Sequence, residues 1–393
     1  MIRNNRLALL WSVLSAIGLF LVCYFVDNVP YSFVNSATVG QHIEQLRQLL
    51  KGEDDPVPDE LFLINVAYDR ELTTAYDDNG FEIGNIDVTD RKKLIRLLRK
   101  LKEADYNYIM LDVALDDKYT TADDKELADL ILSMPNVILP KSSDYKLVDK
   151  RLNERARYSD YSVHIAEYNF VKYDFLRENE NTMAYQLYQD LTGNKIERKG
   201  PFYFFNGNLA NKSVVLRHPV KLWNKFREKA PESEYASLEM YNMGVDLLDI
   251  DANFGLLANK KIVVIGDFTD NDLHDTYLGK IAGPIININA YYALANDNLS
   301  LPWWYILFLL VLYFSISFCI MRRIPFFERV GLLRKIKSKL IRFFFSLVGV
   351  TTLLTIIGVL VYLIFSLEFN ILIPSIYFSI LLALVNYKNY RLS

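Results

Sequence analysis

The sequence predicts an α/β extracytoplasmic domain, a mostly parallel sheet with flanking helices, joined to four transmembrane α-helices. Two observations predict the domain and a third predicts the helices. Three short β-branched runs alternate with two helical patterns between residues 62 and 139. A further run, Ile262-Val263-Val264-Ile265, is apolar at every position and stops at Gly266 before an acidic loop. An unbroken apolar run of strand length belongs to a strand covered on both faces, as in a parallel sheet. One long apolar stretch precedes this region and three follow it.

Charge divides the chain in the same way. Its 393 residues carry a net charge of -3, but residues 27–300 hold 45 of the 47 acids and 32 of the 44 Lys+Arg. An acidic middle between basic flanks excludes a nucleic-acid binder, which carries its basic patch on the folded domain. Two cysteines, Cys23 and Cys319, both lie in apolar stretches. The middle domain therefore has no disulfide and no cysteine-based zinc site.

Residues 7–25 are uncharged and follow Arg3 and Arg6. The run is longer than a signal-peptide core and lacks a small-x-small cleavage site, so it is read as an uncleaved anchor. Residues 33–50 read as a helix with Val39, Ile43, Leu46 and Leu50 on one face. Residues 62–68 read as a strand ending at Asp69. Thr89-Asp90 is positioned to cap a helix over 91–104, whose buried stripe is Leu94, Leu97, Leu98 and Leu101. A strand at 108–113, a helix at 122–132 capped by Thr121, and a strand at 137–139 complete a βαβαβ unit. Residues 162–176 read as a strand pair and 182–191 as a helix. The tyrosines recurring there (Tyr145, Tyr158, Tyr161, Tyr168, Tyr173, Tyr185 and Tyr188) suit either a carbohydrate or peptide surface or half-buried packing. Beyond the strand at 262–265 the loop places Asp267, Asp270, Asp272, His274 and Asp275 within nine residues. Residues 285–288 read as a second short strand and 290–294 as the start of a helix.

Candidate chemistry follows from where carboxylates fall. Asp69, Asp112 and Asp267 stand at the ends of strand runs, and open α/β sheets bind ligands beyond the carboxyl ends of their strands. Asp69, Asp112, Asp267, His274 and Asp275 are therefore the candidate binding residues for a small molecule or peptide. Asp267, Asp270, Asp272 and Asp275 are candidate ligands for a divalent cation, and an oxygen-rich set with one imidazole suits Ca²⁺, Mg²⁺ or Mn²⁺. The competing reading is that these groups cap helices and close turns. His42, His164 and His218 stand singly. No Ser-His-Asp order, Walker-type loop or metalloprotease helix is present, so no catalytic residue is assigned and the chain is not expected to be an enzyme.

Several of these residues carry a family resemblance. Val264-Ile265-Gly266, His274-Asp275-Thr276, Gly279, Gly283 and Asn289-Ala290 resemble the closing segment of the type 2 CHASE domain. Asp69-Arg70-Glu71-Leu72, Met110-Leu111-Asp112-Val113 and Val137-Ile138-Leu139-Pro140 resemble its first half, and Thr182-Met183-Ala184 its Ser-Leu-Ala-like helix. Tyr277 stands where that family usually has Pro. The resemblance implies an extracytoplasmic sensory module of a bacterial inner membrane, with one span before it and three after.

The remaining stretches fit that arrangement. Residues 302–320 are apolar behind Trp303, Trp304 and Tyr305, an interfacial aromatic edge. Residues 322–342 carry eight Lys/Arg and one acid, and two further apolar runs follow at 343–365 and 371–387. Each run has the length needed to cross about 30 Å of hydrocarbon, the last just so. Placing every strongly basic segment on the cytoplasmic side gives one order. It runs N-terminus 1–6, span 7–25, extracytoplasmic domain 26–301, span 302–320, basic loop 321–342, spans 343–365 and 371–387, and tail 388–393. Arg334, Lys335, Lys337, Lys339 and Arg342 are the expected contacts to lipid or to a cytoplasmic partner. A sensor that signals through a partner protein is the leading expectation, and an assembly subunit of an envelope complex is the alternative.

Overall fold

The computed structural model describes residues 5–29, 60–76, 81–104, 106–159, 172–177, 179–215, 261–268, 272–276, 279–322, 339–365, 367 and 369–390. The expected helix at 33–50, most of the expected strand pair at 162–176, Asp270, and Arg334, Lys335 and Lys337 lie outside the described residues. In chain order the first elements are α1 (Asn5–Asp27), β1 (Leu61–Asn65), β2 (Arg70–Tyr76), β3 (Glu82–Thr89), α2 (Arg91–Glu103), β4 (Tyr108–Asp112), α3 (Asp124–Ser133), β5 (Val137–Lys141) and β6 (Ala156–Tyr158). There follow β7 (Lys172–Asp174), β8 (Leu176–Arg177), β9 (Glu180–Asn181), α4 (Met183–Thr192), β10 (Glu197–Lys199), β11 (Phe202–Phe205), β12 (Asn208–Ala210) and β13 (Ser213–Val215). The last are β14 (Ile262–Gly266), β15 (Leu273–Thr276), β16 (Gly279–Ala282), α5 (Gly283–Ala295), β17 (Ser300–Leu301), α6 (Trp303–Arg322), α7 (Lys339–Phe365) and α8 (Leu372–Tyr390). Two compact units form: residues 51–195 with 213–297, and residues 1–50 with 196–212 and 298–393.

The first unit is a parallel sheet in the order β1-β14-β4-β5-β6. The last strand in sequence, β14, is inserted between the first two and pairs with both. That central place explains its apolar run, since every residue of β14 is buried. Phe62, Ile64, Ile109, Leu111, Val137, Leu139, Val263 and Ile265 share one core with Leu94, Leu97, Leu98 and Leu101 of α2 and Leu127 and Ile131 of α3. The alternate residues Leu63, Met110, Ile138 and Val264 are also buried, and α4 and α5 pack on the sheet and on each other. Burying each such aliphatic side chain is worth about 1.5–3 kcal/mol. The α2 start is as expected: Asp90 accepts from the Lys93 backbone N–H at 3.0 Å. The next helix begins two residues later than expected, at Asp124, and Thr121 does not cap it. Instead the Thr121 backbone N–H donates to the Asp124 carboxylate at 2.6 Å.

One expected strand is corrected. Residues 285–288 are not a strand: α5 starts at Gly283 with Pro284 in its first turn, where a missing N–H costs nothing. Its residues from Gly283 to Leu294 are all buried. A helix covered on every side has no polar face to mark its period, so a short apolar piece of it reads as a strand. The partner strand lies earlier: β15 and β16 form an antiparallel hairpin out of the acidic loop. Of the expected strand pair at 162–176 only the end is described, and there Lys172–Asp174 pairs with β13 and Leu176–Arg177 with β9.

The second unit is helical. Ala16, Leu19 and Cys23 of α1 pack in one cluster with Tyr305, Leu309 and Tyr313 of α6, Val350 and Leu354 of α7, and Phe378 of α8. Among the described residues two helices are long and apolar enough to cross a membrane, Arg6–Asp27 and Trp303–Arg322, and two shorter apolar stretches lie at Val348–Tyr362 and Leu372–Val385. A small antiparallel sheet, β10-β11-β12-β17, caps the C-terminal end of α1. There the Tyr24 hydroxyl accepts from the Tyr203 N–H at 2.9 Å and donates to the Ala210 carbonyl at 3.0 Å. α7 begins at Lys339, so Lys339 and Arg342 belong to that helix rather than to a loop.

Candidate ligand-binding cleft

The carboxyl ends of β1, β14, β4 and β5 open into a cleft of about 630 Å³. This is where an open parallel sheet exposes loops on a rigid base, and the volume is that of a small-molecule site. The antiparallel pair β2–β3 forms one wall, turning Ile86 and Val88 inward, and the Thr73 hydroxyl donates to the Thr120 carbonyl at 2.6 Å. Val66 and Val113 extend the apolar lining. Tyr119, Tyr145, Ser142, Ser143 and Ser159 supply hydroxyls.

Asp112 closes β4 and faces the cleft. It accepts from the Asn287 amide at 2.9 Å, and Asn287 in turn accepts from the Tyr173 hydroxyl at 2.9 Å. Burial pushes the Asp112 carboxyl up to about 6, with the Asn287 hydrogen bond pulling the other way. Asp267 directly follows β14 and is 7 % exposed, but Arg70 meets it at 2.6 Å. Asp272 stands over the first residue of α5, and a Cβ on Gly283 would lie 2.3 Å from its Oδ2. The glycine is thus required by close approach, and the helix N-terminus favours the negative charge it admits. Burial, then the charges of Asp112 and Asp267, push the Asp272 carboxyl up. Burial pushes the His274 imidazole down against the pull of Asp275. Asp272 Oδ1 and His274 Nε2 lie 2.7 Å apart, so the two share one proton.

The five candidate binding residues therefore divide. Asp112, Asp267 and His274 line the cleft, joined by Asp272. Asp69 is buried but is held by Lys93 at 2.8 Å and does not line it. Asp275 is exposed on β15, its side chain on the face opposite to that of its neighbour His274. Among the described residues no group of three or more His, Cys, Asp or Glu is arranged to hold a metal ion. Sequence reading missed Arg70, Arg91, Arg177 and Asn287. Arg91 is 1 % exposed, with Nε 3.1 Å from Asp124 Oδ1 and Nη1 3.2 Å from the Thr89 carbonyl. Its position in the first turn of a basic helix resembled a solvated one. Arg70 was within reach, since it adjoins Asp69 at a strand end.

Carboxyls, amides and hydroxyls around an open volume can hydrogen-bond a polar organic molecule, and the apolar wall offers area for a carbon skeleton. No curated protein and no solved structure matches the chain. A family model described as the CHASE2 domain matches residues 34–320, well over half of the chain. With its parallel sheet, its cleft and the apolar helices on either side, the chain belongs to the CHASE2 domain family, a family of extracellular sensory domains.

Proposed function

We propose that the protein is a membrane-anchored sensor of a bacterial inner membrane, in which the cleft at the carboxyl ends of the strands captures a small polar ligand. The observation that carries this reading is the cleft itself, braced by the Tyr173–Asn287–Asp112 chain and walled by β2–β3 in a sensory-family domain. Residues 26–301 face the periplasm, four helices span the membrane, and both termini are cytoplasmic. Positive charge in residues 321–342 supports that orientation. The signal passes to a partner protein, with Arg334, Lys335, Lys337, Lys339 and Arg342 as its cytoplasmic contact or as a contact to anionic lipid. The domain itself performs no catalysis and needs no resident cofactor.

Thermal melting of the full chain in nanodiscs against a panel of small polar metabolites tests the ligand. At least one compound is expected to raise Tm, because a ligand that binds only the native state stabilises it. The rise should vanish in Asp112→Asn and persist in Asp275→Asn. A panel in which no compound acts through Asp112 overturns the reading. A second reading, an assembly subunit, is supported by the apolar side chains Leu72, Phe81 and Ile83, which are 70 %, 71 % and 65 % exposed along β2–β3. Under it, cross-linking in native membranes recovers a stoichiometric partner that Leu72→Glu releases.

A further inference from the structure

We infer that the cleft takes a small organic cation, an amine whose ammonium sits beside Asp112 and Asp272 and whose carbon chain lies along Val66, Val113, Ile86 and Val88. The inference rests on the ligand-binding reading above and adds the chemical class.

The argument starts from how this unit treats its buried acids. Asp267 is answered by Arg70, Asp124 by Arg91 and Asp69 by Lys93, each at 2.6–3.1 Å. Asp112 has the Asn287 amide and Asp272 has His274, and neither is given a lysine or arginine among the described residues. These two face the cleft and feel one another's charge. A fold that supplies a cation to Asp267, Asp124 and Asp69, and leaves Asp112 and Asp272 open toward an accessible volume, is complementary to a cation arriving from outside. The arginines do not offer an equivalent anion site. Arg70 and Arg91 are committed to Asp267 and Asp124, and Arg177 lies over the Tyr158 ring at 5.0 Å with Nη2 3.4 Å from Ser143 Oγ. The apolar wall distinguishes an organic cation from a bare metal ion, which has no use for Ile86 and Val88 and lacks a ligand set among the described residues.

Proton linkage gives the site a signature. The groups facing Asp112 and Asp272 are Arg70 from β2, Asp267 and His274 from the segment after β14, Tyr173 from β7 and Asn287 from α5. In the empty cleft burial holds protons on Asp112 and on the Asp272–His274 pair, and an ammonium displaces them. Affinity for an amine therefore rises with pH, about tenfold from pH 5 to pH 7 through the Asp112 proton alone, and further through the Asp272 carboxyl, which burial and its acidic neighbours push up to about 9.

The test uses the full chain in phosphatidylcholine nanodiscs with four probes of matched size or charge: putrescine, succinate, butanediol and magnesium chloride. Melting at about 10 mM of each, with calorimetry in two buffers of different ionisation enthalpy, reads binding and proton release together. Putrescine alone is expected to raise Tm and to release protons, more tightly at pH 7 than at pH 5. Asp112→Asn and Asp272→Asn should each weaken it about tenfold or more, and Asp275→Asn should not. A rise with succinate or butanediol that depends on Asp112 overturns the cationic class while leaving the ligand-binding reading in place. A rise with magnesium alone means an inorganic cation and also overturns it. If no probe acts, the amine is refuted, and the metabolite panel decides separately whether the cleft binds anything. Because Asn is isosteric with Asp and keeps the Asn287 contact, each variant's own melting curve reports folding independently of binding.

Discussion

Asp112 ends a strand buried on both faces, and its carboxyl meets an amide where its charge would call for a cation. Its native pKa, about 6, lies above the unfolded value near 3.9. The native state then binds more protons than the unfolded state between those values, so stability from this group is present at low pH and falls as pH rises from about 4 to about 6. At pH 7.5 the ionised, half-buried carboxylate costs on the order of 3 kcal/mol at most. Asp112→Asn removes the ionisation, so it should melt higher than the natural chain at pH 7.5 and lose that advantage at pH 4. Melting curves in which the variant is the less stable at pH 7.5 sink the argument. The same contrast of burial and partner decides what was legible among single residues. Asp112 and Asp267 could be found because each stops an apolar run, and a chain direction plus a strand end fixes where such a residue points. Asp69 has the same signature and still misses the cleft, because Lys93, four residues into sequence that reads as a solvated helix face, turns back to it. Asp275 fails for a different reason: in a strand, neighbouring side chains take opposite faces, so it and His274 could not both point inward.

Elements were legible wherever their periodicity was. The strands at 61–65, 108–112, 137–141 and 262–266 and the helices at 91–103 and 183–192 stand within a few residues of where pattern and caps put them. α5 was not, because burial on all sides erases the 3.6-residue signal that a half-buried helix displays. Nor does sequence show that β14 pairs with both β1 and β4, since insertion of a late strand depends on pairings 201 and 154 residues apart (Leu61 with Ile262, Tyr108 with Ile262). One element-scale contact has a clear energetic expectation. Arg91 and Asp124 join the start of α2 to the start of α3, with side chains 1 % and 7 % exposed. Removing one partner of a buried pair leaves the other charge uncompensated, at about 3–5 kcal/mol, whereas neutralising both costs far less. Arg91→Ala should therefore lose about 3 kcal/mol or more in chemical denaturation. Arg91→Met combined with Asp124→Asn should recover more than half of that loss, since Asn keeps an acceptor for the Thr121 N–H. A double variant no better than Arg91→Ala would show that Arg91 matters through its bonds to the Thr89 and Ala114 carbonyls instead.

At the scale of the whole chain, composition carries the argument that coordinates alone do not. α1 and α6 have the length and apolarity of spans, and outward side chains such as Leu10, Trp11 and Leu14 of α1 are about half exposed. Apolar surface of that extent needs lipid around it. The shorter apolar stretches within α7 and α8 pack against the same helical cluster, which supports the proposed four spans, one before the domain and three after it. Charge then sets direction. Residues 27–300 are near -13 by count, 45 acids against 32 Lys+Arg, while residues 322–342 carry eight Lys/Arg and one acid. Short basic loops stay cytoplasmic because moving each cation across the bilayer is costly, whereas a large acidic domain translocates regardless of its charge. Ser233 lies in the acidic middle and Ser338 in the basic stretch, so the proposed arrangement places them on opposite sides of the membrane. With Cys23 and Cys319, both free thiols, first replaced by Ser, Ser233→Cys should react with a membrane-impermeant maleimide on intact spheroplasts. Ser338→Cys should react only after permeabilisation. Substituting Gln for Arg322, Arg323, Arg334, Lys335, Lys337, Lys339 and Arg342 should weaken that asymmetry, because the charge bias and not the helices alone holds the loop inside. Labelling of both single-cysteine sites from the same side would refute the four-span arrangement, since the single crossing by α6 places residues 233 and 338 on opposite sides.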